Sequence, residues 1–284
     1  MGIFSDILLC SDYDHTMTAP DGSIPQRNQD ALRYFMENGG AFTINTGRGI
    51  PMIRPLLEKV ELNAPWLLYN GSAAYDAQKG EFLFAHTIDL DPWELAEAFQ
   101  KRYPDMVTEV QGVNAHYAFH ENKGWEEFSK AQNCAYAYAA PELDMGPFMK
   151  ITLYGEFRSP EMADMYRGSA EELARIDAIE EDLKKTYGEH LAVFRATPRI
   201  IDMQCRGVSK LRSARLLQEK LGRRLLVCVG DGRNDIPMLE GADYAFCPAG
   251  SVVEKLFPNV CSCAEGALWE VIYKKIPEIL KNNP

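Results

Sequence analysis

The sequence predicts an α/β protein: a parallel-sheet core in two halves, with an α+β segment inserted between them. Three observations predict it. Short apolar runs at 7–10, 41–46 and 66–69 alternate with helical patterns, the rhythm of parallel strands joined by crossover helices. The same alternation returns near the end, at 225–229 and 244–246. Between them the pattern shifts to charged helices mixed with strands of antiparallel character. The expected domains are therefore 1–84 for the first core half, 85–203 for the insertion and 204–284 for the second core half. A chain of 284 residues is long for one small domain, which agrees with this division.

Each element has its own reason. Ile7-Leu8-Leu9-Cys10 is a buried-strand run that ends in acidic and hydroxyl residues. Residues 25–38 place Ala31, Leu32, Phe35 and Met36 on one helical face, and Gly39-Gly40 closes that helix. The strand at 41–46 stops at Gly47, and a helix over 51–60 carries Pro55 as a kink or break. Trp66-Leu67-Leu68-Tyr69 is a third strand, stopped by Asn70-Gly71. In the insertion, 91–102 is helical with Leu95, Ala98 and Phe99 inward, and 116–119 and 150–154 are short strands. Residues 161–187 form one long helix or two, with Leu173, Ile176, Ile179 and Leu183 as the stripe. Residues 191–196 and 199–203 pair around Thr197-Pro198. Returning to the core, 209–221 is amphipathic through Leu211, Ala214, Leu217 and Leu221. The strand at 225–229 breaks at Gly230-Asp231-Gly232, a helix starts at Asp235, and 267–280 is a final helix bent by Pro277.

Composition narrows the function. Apolar residues make up 46% and charged residues 25%, enough for a sizeable core. The net charge of −11 with no basic block excludes non-specific nucleic-acid binding. The first sixteen residues lack a basic leader and a long apolar run, so neither a signal peptide nor a membrane span is expected. Seven cysteines, mostly in apolar runs, read as reduced, buried thiols of a cytoplasmic protein. Cys261-Ser262-Cys263 reads as a strand of small residues rather than a metal pair. The sequence sets no oligomeric state.

Four loops follow predicted core strands or open a core helix, and ligands of parallel sheets bind at the carboxyl ends of strands. Asp12-Tyr13-Asp14-His15-Thr16 puts two carboxylates two residues apart, which repel unless a cation relieves them. One can act as nucleophile, the other can give and take protons; a polar turn capped by Asp14 explains the same letters. Asn45-Thr46-Gly47-Arg48 can offer a hydroxyl and N–H groups to an anion, or be a plain turn. Lys210 opens a helix, where the macrodipole disfavours it unless an anion binds nearby; a solvated lysine is the alternative. Gly230-Asp231-Gly232-Arg233-Asn234-Asp235 supplies oxygen ligands of the kind Mg²⁺ takes, or a turn with Asp235 as helix cap.

Taken together and in order, these loops resemble the haloacid dehalogenase superfamily of phosphatases, and specifically the Cof-like hydrolases with a large α/β cap after the third core strand. Asp12, Asp14 and Thr16 match the first motif. Thr46 matches the second, Lys210 the third, and Gly230, Asp231, Asn234 and Asp235 the fourth. Asn70-Gly71 also resembles that subgroup. The match spans both core halves, about 165 residues. The resemblance implies a Rossmann-like core and an enzyme that hydrolyses a small phosphorylated metabolite, a sugar phosphate by preference. It implies Asp12 as nucleophile, forming an aspartyl-phosphate, and Asp14 as acid and base. Thr46, Gly47, Lys210 and Asn234 would bind phosphate. Mg²⁺ would be held by Asp12, Asp231 and the carbonyl of Asp14, with Asp235 beside the metal or Lys210. His15 departs from the pattern, since relatives usually carry Gly or a small aliphatic residue there. That departure bears on loop geometry or substrate preference. A phosphomutase like the phosphomannomutase relatives is the near rival, and a non-catalytic phospho-ligand sensor a further one. In the insertion, His116, His120, Lys123, Trp125 and Arg195 are weaker candidates for leaving-group contact.

Overall fold

The computed structural model describes residues 2–57 and 60–282. The chain separates into two compact units, Met1–Thr46 with Lys59–Phe84 and Ser209–Pro284, and Gly47–Glu58 with Ala85–Val208. The second unit thus starts from the expected insertion, runs five residues further and also takes in 47–58.

In chain order the elements are β1 (Ile7–Ser11), α1 (Gln26–Glu37), β2 (Ala41–Ile44), α2 (Ile50–Leu57), β3 (Trp66–Leu68), β4 (Ala73–Asp76) and β5 (Glu81–Ala85). There follow α3 (Pro92–Arg102), β6 (Val107–Gly112), β7 (His116–Ala118), α4 (Lys123–Ala131), β8 (Tyr136–Tyr138) and β9 (Phe148–Tyr154). Next come α5 (Ala170–Tyr187), β10 (Leu191–Thr197), β11 (Ile200–Cys205), α6 (Lys210–Lys220) and β12 (Leu225–Val229). The chain closes with α7 (Ile236–Glu240), β13 (Tyr244–Pro248), β14 (Asn259–Val260), α8 (Ala267–Glu270) and α9 (Ile276–Asn282). The expected end of the 51–60 helix, at Glu58 and Lys59, lies outside the described residues.

The first unit is built on a parallel sheet in the order β14-β13-β12-β1-β2. Strands β1 and β12 are buried at every position, which is why they read as unbroken apolar runs. Leu8 and Cys10 of β1 and Leu226 and Cys228 of β12 pack on Ala214 and Leu217 of α6 and on Met238 and Leu239 of α7. The expected third parallel strand behaves differently. Among the described residues a single bridge, between Asn45 and Leu67, joins β3 to the ladder of the core sheet, and β3 pairs antiparallel with β4 in a separate sheet, β3-β4-β5. Side chains take over where the parallel ladder stops. Asn63 Oδ1 accepts from Phe42 N, Asn63 Nδ2 donates to the Gly40 carbonyl, and Thr43 Oγ1 donates to the Pro65 carbonyl.

The second unit carries a sheet in the order β10-β11-β9-β6-β7-β8, antiparallel except for the β7–β8 pair. One face is apolar: Val110, Ile151, Leu153, Ile201 and Met203 meet Leu95 and Phe99 of α3 and Ile176, Ile179 and Leu183 of α5. In α3 the inward alanine is Ala96 rather than Ala98, which is exposed. The other face is polar yet buried, with Glu109, Thr152 and Asp202 side by side in register. The 161–187 stretch is two helical pieces, because Ser169 caps α5 by accepting from Glu172 N. Between α8 and α9 the helix widens over Val271–Lys275, ahead of Pro277, which lacks an N–H for the regular ladder. The Cys261–Cys263 stretch is not a strand: β14 ends at Val260, and Cys263 begins a short helical turn.

Candidate active site

Parallel register decides where the loops emerge. Ser11, the last residue of β1, lies opposite Val229 of β12 and Ile44 of β2. The next residues continue the ladder, with Asp12 N donating to the Val229 carbonyl and Asn45 N donating to the Ser11 carbonyl, both at 2.8 Å. Neighbouring strands lie about 4.8 Å apart. The Asp12, Thr46 and Asp231 loops therefore leave the same sheet edge as neighbours.

Helix α6 brings the fourth group. Its first residue, Lys210, is buried, and Nζ donates to Asp12 Oδ1 and Asp235 Oδ1, each at 2.6 Å. Asn45 Nδ2 donates to the Lys210 carbonyl at 2.8 Å and so fixes the first turn of α6 against the end of β2. That close approach needs Gly71. A Cβ there would sit 2.4 Å from the Ser209 carbonyl oxygen, and its φ of +96° is left-handed. Gly230 has a similar role, since a Cβ would lie 2.6 Å from the Asp235 carboxyl carbon. Asp235 is consequently held on both sides: its Oδ2 accepts from the N–H groups of Asp231 and Gly232 at 3.1 and 2.9 Å. Thr16 Oγ1 donates to Asp231 Oδ1 at 2.8 Å, tying the first loop to the fourth.

The electrostatics follow from three carboxylates around one ammonium. Burial pushes the Asp12 carboxyl well above its ordinary range; Lys210 opposes this, while Asp235, Asp231 and Asp14 add to it. Burial and Asp235 raise Asp231 to about 6, against the opposing Thr16 bond and the charges of His15 and Lys210. Burial alone would discharge Lys210, but Asp12 and Asp235 outweigh it and hold the ammonium charged. A helix N-terminus disfavours a lysine, and here the two carboxylates compensate.

Asp12, Asp231 and Asp235 each place a carboxylate oxygen within 4.8 Å of the others. Hard oxygen donors with surplus negative charge suit a small divalent cation. Both oxygens of Asp235 already have hydrogen-bond partners, which leaves Asp12 and Asp231 with the freer coordinating capacity.

Comparison with known proteins agrees with this geometry. Residues 9–251 match the model of the haloacid dehalogenase-like hydrolases. The chain belongs to that family. An HMP-PP phosphatase of Cronobacter sakazakii is 26% identical over 239 residues, covering 80% of this chain and 78% of that protein. A haloacid dehalogenase-like hydrolase from Bacteroides thetaiotaomicron superposes with a TM-score of 0.78 at 18% identity, covering 94% and 98% of the two chains. A second protein of that organism, described among the phosphatases of the haloalkanoate superfamily, gives 0.72 at 16% identity, covering 93% of each chain.

In this hydrolase Asp12, Asp14, Thr46, Lys210, Asp231, Asn234 and Asp235 all fall in the first unit. Asp14 is half-buried with extended backbone, close enough for its charge to act on Asp12. Thr46 is buried, and its N–H is committed to the Leu67 carbonyl at 3.0 Å. Gly47 groups with the second unit, where its carbonyl accepts from Lys150 Nζ at 2.8 Å. Asn45 and Gly71 are positioning residues; sequence reasoning included Asn45 in the second loop and Asn70-Gly71 in the resemblance, but gave neither Asn45 nor Gly71 a role against helix α6.

The candidates of the insertion have internal partners. His116 Nδ1 lies 3.2 Å from Glu109 Oε1, Trp125 Nε1 donates to Glu109 Oε2 at 2.7 Å, and Arg195 pairs with Asp177 and Glu180. His116 and Trp125 thus share the buried Glu109 carboxylate within this unit.

Proposed function

We propose that the protein is a Mg²⁺-dependent phosphatase of small phosphorylated metabolites, with a sugar phosphate as the preferred class. The observation that carries this is the buried Asp12 carboxylate, held by Lys210 and facing Asp231 at the carboxyl edge of a parallel sheet. Relatives named as phosphatases support the reaction class.

The residues divide the work. Lys210 fixes one oxygen of Asp12, which orients the carboxylate for in-line attack on phosphorus. As the new P–O bond forms, the ester P–O bond breaks, and Asp14 gives its proton to the departing alcohol. Asp14 then takes a proton from water, whose oxygen attacks phosphorus and releases phosphate from Asp12. The Thr46 hydroxyl, Asn234 and Lys210 bind the phosphoryl oxygens. Asp235 positions Lys210 and the backbone at Asp231 and Gly232. Asp12, Asp231 and the Asp14 carbonyl would hold Mg²⁺, which when bound offsets the negative charge of carboxylates and phosphate. The seven free thiols fit a reducing compartment, and no helix among the described residues is long and apolar enough to cross a membrane.

The test is phosphate release from a panel of phosphorylated sugars, nucleotides and cofactors, with Mg²⁺ and with EDTA. Wild type releases phosphate only with the metal, and Asp12→Asn loses at least about a thousandfold in kcat while keeping its circular-dichroism spectrum. Metal-dependent release by folded Asp12→Asn contradicts the reading. Conversion of a sugar phosphate to its isomer without free phosphate would establish the mutase instead.

A further inference from the structure

His15 has a conformation that its own side chain opposes. Within the turn Tyr13–Met17 its φ is 54° and its ψ 10°, the left-handed region where L-residues are strained and glycine is not. His15 is exposed while Asp12 and Thr16 around it are buried. Its place, however, is chemically specific. It precedes Thr16, whose hydroxyl donates to Asp231 Oδ1. It also follows Asp14, the residue assigned to protonate the departing alcohol. A side chain next to that acid is placed to meet the leaving group rather than the transferring phosphoryl. Lys210, the cation bonded to Asp12, is buried and occupied by two carboxylates.

We propose that His15 is a specificity-determining residue whose imidazole hydrogen-bonds a hydroxyl of the leaving group, selecting polyol phosphates over plain aryl phosphates. A hydroxyl both donates and accepts, so it matches either ring nitrogen. This inference rests on the phosphatase reading above.

The experiment measures kcat and KM for wild type, His15→Gly and His15→Asn on a panel of sugar and polyol phosphates and on p-nitrophenyl phosphate, with saturating Mg²⁺. Loss of one hydrogen bond predicts that His15→Gly lowers the ratio of kcat/KM for the best polyol phosphate to that for p-nitrophenyl phosphate by about tenfold, mostly through KM. His15→Asn, which tolerates the left-handed region and keeps a donor and an acceptor, retains part of the ratio. An unchanged ratio in both variants overturns the inference, whether the two activities fall together or stay level. A wild type that cleaves none of the esters removes the phosphatase reading itself, an outcome distinct from a lost preference. Melting curves of both variants confirm that they fold.

Discussion

Asp12 and Asp231 hold their protons more tightly than ordinary carboxyls, and this makes cation affinity a function of pH. For Asp231 the ordinary value of 3.8 rises to about 6 in the fold, from burial first and then from Asp235. Between those two values the folded state binds more protons than the unfolded state, so stability of the ion-free protein falls as pH rises through that window. Asp12 shifts in the same direction. A divalent cation competes with those protons. If Mg²⁺ is held as proposed, saturating Mg²⁺ should therefore stabilise the protein more at pH 8 than at pH 5. At a hundred times the dissociation constant the gain approaches about 2.7 kcal/mol. Melting temperatures with and without Mg²⁺ at the two pH values check this, and an equal or reversed increment contradicts it. At this scale the sequence singled out Asp12, Asp14, Lys210 and Asp231 only through the four loops taken together, because each residue alone has a structural explanation. It was uninformative for Asn45, whose bond to the Lys210 carbonyl joins residues 165 apart in the chain.

The elements explain why those residues meet. Strands β1 and β12 were legible because burial on both faces leaves a continuous apolar run. Strand β3 was legible as a strand but not as part of another sheet, since three apolar letters carry no record of their pairing. The break before α5 depends on Ser169 as a cap, a local signal that the surrounding charged stretch obscured. The most consequential element contact is that of Gly71 with the start of α6. Gly71→Ala adds a Cβ 2.4 Å from the Ser209 carbonyl oxygen at a left-handed φ. Its expected cost is about 2–4 kcal/mol, since neither backbone can yield cheaply. Lys210 shifts with α6, so kcat falls beyond what the lost stability explains. Chemical denaturation and kinetics on the folded fraction measure both effects; full activity and stability would show that α6 is not fixed by this contact.

On the scale of the whole molecule, each unit carries buried charge, and in the second it is the pair of His116 and Glu109. Burial alone would lower the affinity of His116 for its proton, but Glu109 and then Cys134 outweigh it, raising the value from 6.5 to about 10. Burial works against ionised Glu109, yet His116, with bonds from Trp125 and Gln111, holds it below its ordinary range. Tyr154 also donates to Glu109. The folded state thus binds one more proton than the unfolded state between about pH 6.5 and 10. The pair's contribution is complete below that window and is lost as pH rises through it. Denaturation midpoints of wild type should fall with pH over this range, whereas His116→Gln should show a flatter dependence on a lower baseline. The same slope in both proteins would refute the ion pair as its cause. The inserted unit's α+β character was legible from its mixed periodicity. Its polar sheet face was not, because Glu109, Thr152 and Asp202 look like solvent-facing letters until their register places them together.

The most direct test of the account asks whether phosphate passes through Asp12. Wild-type protein turning over its best substrate with Mg²⁺ is quenched in acid and reduced with borohydride, which converts an aspartyl-phosphate to homoserine. Mass spectrometry of the peptide spanning residues 7–17 should then find homoserine at position 12, and none in Asp12→Asn. Rapid phosphate release with position 12 always recovered as aspartate, or a reduced carboxylate at another position, would contradict it.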